Sequence, residues 1–175
     1  ASGSMNGIIA MKMMVRGIPT DYVSAIRNGG VDANGQPALR RPAEGSGNPC
    51  RHCLGLIPAG EEKLVLSYRP FPHAQPYAET GPIFLHRDAC ERYEDSRLPA
   101  WFVYLQPAIV RGYNRGDWIV YETGNVVQGQ DLDATCRTIL ARDDVAYVHI
   151  RSKFNCFQCR VERASQDECD DHALR

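Results

Sequence analysis

Two Cys-x-x-Cys pairs, Cys50-Arg51-His52-Cys53 and Cys156-Phe157-Gln158-Cys159, sit far apart in this chain. If they share one partner, the fold must bring its first third against its last strands. Separation alone does not forbid this. Stretching a spacer from roughly 15 to roughly 100 residues costs about 1.7 kcal/mol, at about 0.6 kcal/mol per doubling. A structural zinc site returns on the order of 10 kcal/mol. Seven cysteines are an odd number, so they cannot all pair with one another. Without an export signal in the sequence, the expected compartment is a reducing cytosol with free or metal-bound thiols.

The local context of the first pair favours metal over redox chemistry. Pro49 precedes it and Gly55, Pro58 and Gly60 follow, which suits a tight turn whose N–H groups point at thiolates. A redox pair instead opens a helix whose positive end lowers the thiol pKa, and Pro58 with Gly60 argues against a helix here. The second pair is less decided. In a regular strand, positions i and i+3 face opposite ways, so Cys156 and Cys159 can share a metal only across a turn or bulge. Otherwise Cys159 is a small buried hydrophobe. The first-choice metal set is Cys50, Cys53, Cys156 and Cys159, with zinc as the cofactor. The second choice replaces the later pair with His86 and Cys90, from His86-x-x-x-Cys90. Absence of any metal is the third reading. Cys136 reads as core, and Cys169, in a polar tail, as a free thiol.

Around these residues the pattern is α+β: a mostly antiparallel, hairpin-built sheet with two or three helices packed on it. Strands are expected over residues 11–16, 63–68, 82–86 and 145–150, and strand pieces within 101–127, with a hairpin turn at 114–117. Leu132, Cys136, Ile139 and Leu140 fall on one face at helical spacing. A short helix over 21–27 would take Thr20 as its N-cap and stop at Gly29-Gly30. Residues 28–49 read as a polar loop, and residues 87–93 as a turn into a short helix. The expected organisation is a possible tag and flexible terminus over 1–11, one domain over 12–165 and a polar tail over 166–175.

Net charge is −1, from 20 basic and 21 acidic residues. That removes the electrostatic basis for nonspecific binding to nucleic acid or an anionic membrane. No apolar run is long enough to span a bilayer. Phosphate loops, nucleophile elbows and His-Glu metalloprotease helices are not found. Tyr68, Phe71, His73, Tyr77 and Glu79 crowd a segment with three prolines, Pro70, Pro72 and Pro76. They form either a stiff ligand loop or aromatic pins holding that loop to the sheet. His149 reads as a hydrogen-bonded core histidine, with a position facing the cysteines as the alternative. Cys50 as an exposed low-pKa thiolate beside Arg51 and His52 would make a thiol-dependent oxidoreductase.

Four phrases in this order carry a resemblance. They are Asn48-Pro49-Cys50-Arg51-His52-Cys53-Leu54, Pro76-Tyr77-Ala78-Glu79-Thr80-Gly81-Pro82-Ile83-Phe84, Val145-Ala146-Tyr147-Val148-His149, and Asn155-Cys156-Phe157 with Arg160-Val161-Glu162-Arg163. Together they resemble the DUF1203 family, bacterial proteins of unknown function, from about residue 13 to 163. The resemblance implies a small cytosolic protein without an assigned activity. It also implies that Cys50 and Cys156, the first cysteine of each pair, lie close together.

Overall fold

In a computed structural model, residues 11–165 are described. The expectations for 1–10 and for the tail, with Cys169, Asp170 and Asp171, fall outside them. Antiparallel strands of β-branched and aromatic residues dominate. Strands β1 (Met13–Arg16), β5 (Glu94–Asp95), β6 (Ala108–Tyr113), β7 (Ile119–Val127), β8 (Tyr147–Ser152) and β9 (Phe157–Arg163) form a six-stranded sheet in the order β5-β1-β9-β8-β6-β7. Strands β2 (Leu39–Pro42), β3 (Glu62–Tyr68) and β4 (Gly81–His86) form a second sheet in that order. The larger sheet is built from hairpins, with Asn114 to Asp117 turning β6 into β7. Within it the first strand pairs with the last, Met13 opposite Arg163, and β5 and β7 form its edges.

One face of the larger sheet carries helix α2 (Leu132–Leu140), which buries Leu132, Cys136, Ile139 and Leu140 against Val110, Val148, Ile150 and Val161. Helix α1 (Thr20–Arg27) instead packs Val23 and Ile26 on the small sheet, among Leu64, Leu66, Ile83 and Leu85. The two larger cores therefore lie side by side and share the β9 region, beside a third, smaller cluster of Phe71, Tyr113 and Tyr147. Because Leu140 is fully enclosed, Leu140→Ala is expected to cost about 2–5 kcal/mol in urea unfolding. Val126→Ala, on the exposed face of β7, should stay within about 0.5 kcal/mol.

Three local expectations need correction. Residues 87–93 form no helix; the chain bends there and continues into β5. The polar stretch 28–49 contains β2, an edge strand with every side chain exposed, so no apolar alternation marked it. Thr20 is the first helical residue of α1, and Pro19 takes the cap position. The glycine stop holds: Gly29 has φ +90, and the Gly30 N–H returns to the Ala25 carbonyl at 2.8 Å.

Candidate metal centre

The first cysteine pair lies in a tight reversal. Pro49 bridges to Leu56, the Cys50 N–H bonds the Gly55 carbonyl at 2.8 Å, and Leu54 takes a left-handed φ of 55. The turn aims backbone donors at sulfur, with the Gly55 N–H 3.4 Å from Cys53 Sγ. A parallel bridge from Cys50 to Phe84 then lays the turn along β4, and the Arg51 N–H bonds the Phe84 carbonyl at 3.0 Å. This contact puts the end of β4 over Cys50: the His86 N–H lies 3.3 Å from Cys50 Sγ. The bend after β4 returns Cys90 to the same point.

Four potential ligand atoms converge as a result. One each from Cys50, Cys53, His86 and Cys90 all lie within 4.8 Å of one another. Cys50 Sγ and Cys90 Sγ are 3.9 Å apart, and Cys53 Sγ is 3.4 Å from His86 Nδ1. Tetrahedral zinc, with bonds of about 2.3 Å to sulfur and about 2.0 Å to nitrogen, sets edges of about 3.8 Å and about 3.5 Å. The residues present therefore fit a tetrahedral metal. Hydrogen bonds from Cys53, and then from Cys90, hold the Cys50 thiol far below its ordinary pKa. The same bond to Cys50 drives Cys53 upward, and Cys90 rises for the same reason. A bound metal would displace the protons these thiols share.

An outer shell surrounds the thiols. Arg27, in the last turn of α1, places Nη2 3.2 Å from Cys90 Sγ and donates through Nε to the His86 carbonyl. His52 Nδ1 lies 3.1 Å from Cys90 Sγ, and its Nε2 lies 2.9 Å from the Thr20 hydroxyl. In the tautomer with Nδ1 protonated, the Thr20 hydroxyl donates to His52 and His52 donates to sulfur. Burial lowers the His52 pKa, consistent with a neutral ring. Arg27, His52 and Thr20 were not singled out in the sequence as site residues of this kind. The clue was His52 lying between the two cysteines, and a basic residue ending a helix.

The second pair does not join this cluster. A bulge on β9 sets Ile150 opposite Cys159 and Arg151 opposite Phe157. Beyond it Cys159 turns into the α2 core with Cys136, whereas Phe157 joins the core that contains Cys50. Burial raises the thiols of Cys159 and Cys136, the latter to about 12. Cys156 is half-buried beside Asn155 and Arg151, near a small cavity. The two segments meet through Arg51. It is almost fully buried and donates from Nε to the Phe157 carbonyl at 2.7 Å and from Nη1 to the Pro49 carbonyl at 2.7 Å. Burial lowers its pKa to about 10, against the pull of Cys156, Cys50 and Cys159. Cys50 itself is 0% exposed, so the accessible thiolate expected at that position is not seen.

The other candidates also divide. His149 is a core histidine: its Nε2 accepts from Arg160 Nε at 3.2 Å, and Phe71, Tyr113, Tyr147 and Phe157 surround the ring. Burial, reinforced by Arg160, Arg151 and Arg111, keeps its pKa well below the usual value. In the proline-rich loop, Phe71 docks against Tyr113, and the Tyr77 hydroxyl meets the Tyr121 hydroxyl at 2.8 Å. Glu79 pairs with Arg111 at 3.0 Å and with Arg151 at 3.5 Å. His73 is exposed, and Tyr68 packs between Tyr22 and Phe157. Tyr68, His73, Tyr77 and Glu79 do not converge on one site.

The family described as "Protein of unknown function (DUF1203)" matches residues 47–163, well over half of the 175-residue chain. The chain belongs to the DUF1203 family. All four cluster residues lie inside the matched segment, whereas Thr20 and Arg27 precede it. No curated protein and no solved structure matches the chain. Among the described residues, no helix is long and apolar enough to cross a membrane.

Proposed function

We propose that this DUF1203 protein is a zinc protein in which Cys50, Cys53, His86 and Cys90 hold one structural ion. The observation that carries this reading is the convergence of one imidazole and three thiols, from two separate segments, within 4.8 Å of one another, with two of the separations at tetrahedral edge lengths. Three thiolates with one imidazole suit zinc among the common metals. A full protein set of four ligands leaves no open position for substrate, which is the pattern of a structural centre. Bound zinc would fasten the turn at Cys50 to the end of β4 and to the bend before β5. With three thiolates the centre would carry one net negative charge, which Arg27 is placed to offset.

The six described cysteines are free thiols, which supports a reducing compartment, here the bacterial cytosol. The thiol-dependent oxidoreductase reading needs solvent access at Cys50, and its complete burial weighs against it. Elemental analysis tests the proposal. Protein purified without chelator should carry about one zinc per chain, and less than about a tenth of that would sink the reading.

A further inference from the structure

A cleft of about 610 Å³ opens on the face of the larger sheet opposite α2, within the size range of small-molecule sites. Its floor is the pairing of β1 with β9, where Met14 stands opposite Glu162 and Arg16 opposite Arg160. Like charges placed directly across neighbouring strands disfavour the sheet. Glu162 is the carboxylate between them, 3.4 Å from Arg16 and 3.8 Å from Arg160. Two further arginines, Arg69 and Arg92, line the cleft. Arg92 is fixed by donating to the Gly17 carbonyl at 2.9 Å and to Glu94 at 3.2 Å. Arg69 donates to the Phe71 carbonyl through Nε and makes no ion pair among the described residues, leaving its terminal nitrogens for another acceptor.

The other acid of the cleft, Asp32, makes no ion pair with these arginines among the described residues. Asp32 spends its carboxylate on the backbone N–H groups of Asn34, Gln36 and Ser67. Four guanidinium groups thus line the cleft against the carboxylates of Asp32 and Glu162, with Glu94, outside the lining, pairing with Arg16 and Arg92, in a protein whose overall charge is −1. The remaining wall is aromatic: Tyr22 and Tyr68 meet at 5.3 Å between ring centres, Tyr68 and Phe157 at 5.7 Å, and Phe71 also lines it. Guanidinium forks recognise planar oxyanions in bidentate fashion, and ring faces bury flat apolar bodies.

We infer that this cleft binds a small organic anion, an aromatic body bearing a carboxylate or phosphate, with Arg69 and Arg92 taking the oxyanion and Tyr22 and Tyr68 the ring. The site shares no residue with the metal cluster, although Arg92 stands two residues beyond Cys90. It also relocates the ligand role expected of the 68–79 loop to its first residues, away from His73, Tyr77 and Glu79.

Calorimetric titration of the full chain with phenyl phosphate, phenylacetate, inorganic phosphate and benzyl alcohol tests it. Phenyl phosphate or phenylacetate should bind with Kd of roughly 1 mM or tighter, and the tighter of the two identifies the oxyanion. Benzyl alcohol should not bind, and inorganic phosphate should bind at least about tenfold more weakly than phenyl phosphate. Arg69→Gln and Tyr22→Ala should each weaken binding about tenfold, whereas Arg115→Gln, in the β6–β7 turn, should leave it unchanged. The inference is overturned if neither aromatic anion binds below about 10 mM, or if inorganic phosphate binds as tightly as phenyl phosphate. It is equally overturned if Arg69→Gln and Tyr22→Ala bind like Arg115→Gln.

Discussion

Cys90→Ser should lower the thermal midpoint by roughly 10 °C or more and abolish zinc retention, whereas Cys156→Ser should do neither. The serine variant removes one thiolate and leaves Arg27 and His52 without the sulfur they face. It also frees the bend before β5, whose Tyr93 N–H and carbonyl bond His52 and Gly17 at 2.9 Å each. Loss of a structural metal is among the few single changes that cost about 3–5 kcal/mol, and about 2–4 °C per kcal/mol applies to a chain of this size. None of the four ligands belongs to the α2 core, so the variant should keep the strands of the larger sheet. Scanning calorimetry with and without a chelator reads both effects. In the wild type the chelator should reproduce the loss, and in Cys90→Ser it should add nothing. Equal midpoints for the two variants would defeat the assignment.

Gly17→Ala should be nearly as damaging, although it touches no ligand. A Cβ at Gly17 would sit 1.9 Å from the His52 carbonyl oxygen and 2.7 Å from its carbon. Both are backbone atoms of the cysteine turn and cannot rotate away. That carbonyl already accepts from Tyr93, and the Arg51 carbonyl beside it accepts from Ile18 at 2.9 Å. Relieving the clash therefore means pushing the turn off β1, at about 3 kcal/mol or more. Zinc affinity, read by competition with a chromophoric chelator, should fall with it. Gly47→Ala is the matched control, because nothing lies within 4 Å of the added methyl. Its urea midpoint should match the wild type within about 0.5 kcal/mol, and indistinguishable behaviour of the two variants would refute the close approach.

How far residues alone reveal this site can be followed at particular positions. The turn around Cys50 and Cys53 was legible because Pro49, Gly55, Pro58 and Gly60 leave little else for the backbone to do. His86 and Cys90 are visible as a spaced pair, yet no local feature says which distant segment lies beside Cys50. The choice is made by a single parallel bridge to Phe84 and by the β9 bulge, and neither leaves a mark in composition. The same bulge explains Cys159: it sends that thiol to the α2 core while Phe157 faces the other way. Helix α2 was legible because its apolar stripe is regular. β2 was not, since an exposed edge strand needs no stripe. The bend at 87–93 resembles a helix start in sequence, whereas the fold uses it to turn Cys90 into the thiol cluster.

X-ray absorption at the zinc edge of the purified full chain tests the central claim most directly. The arrangement of Cys50, Cys53, His86 and Cys90 predicts three sulfur neighbours at about 2.3 Å and one imidazole nitrogen at about 2.0 Å. A shell of four sulfurs would return the site to the two Cys-x-x-Cys pairs, and a shell of oxygen and nitrogen alone would contradict metal binding at these cysteines.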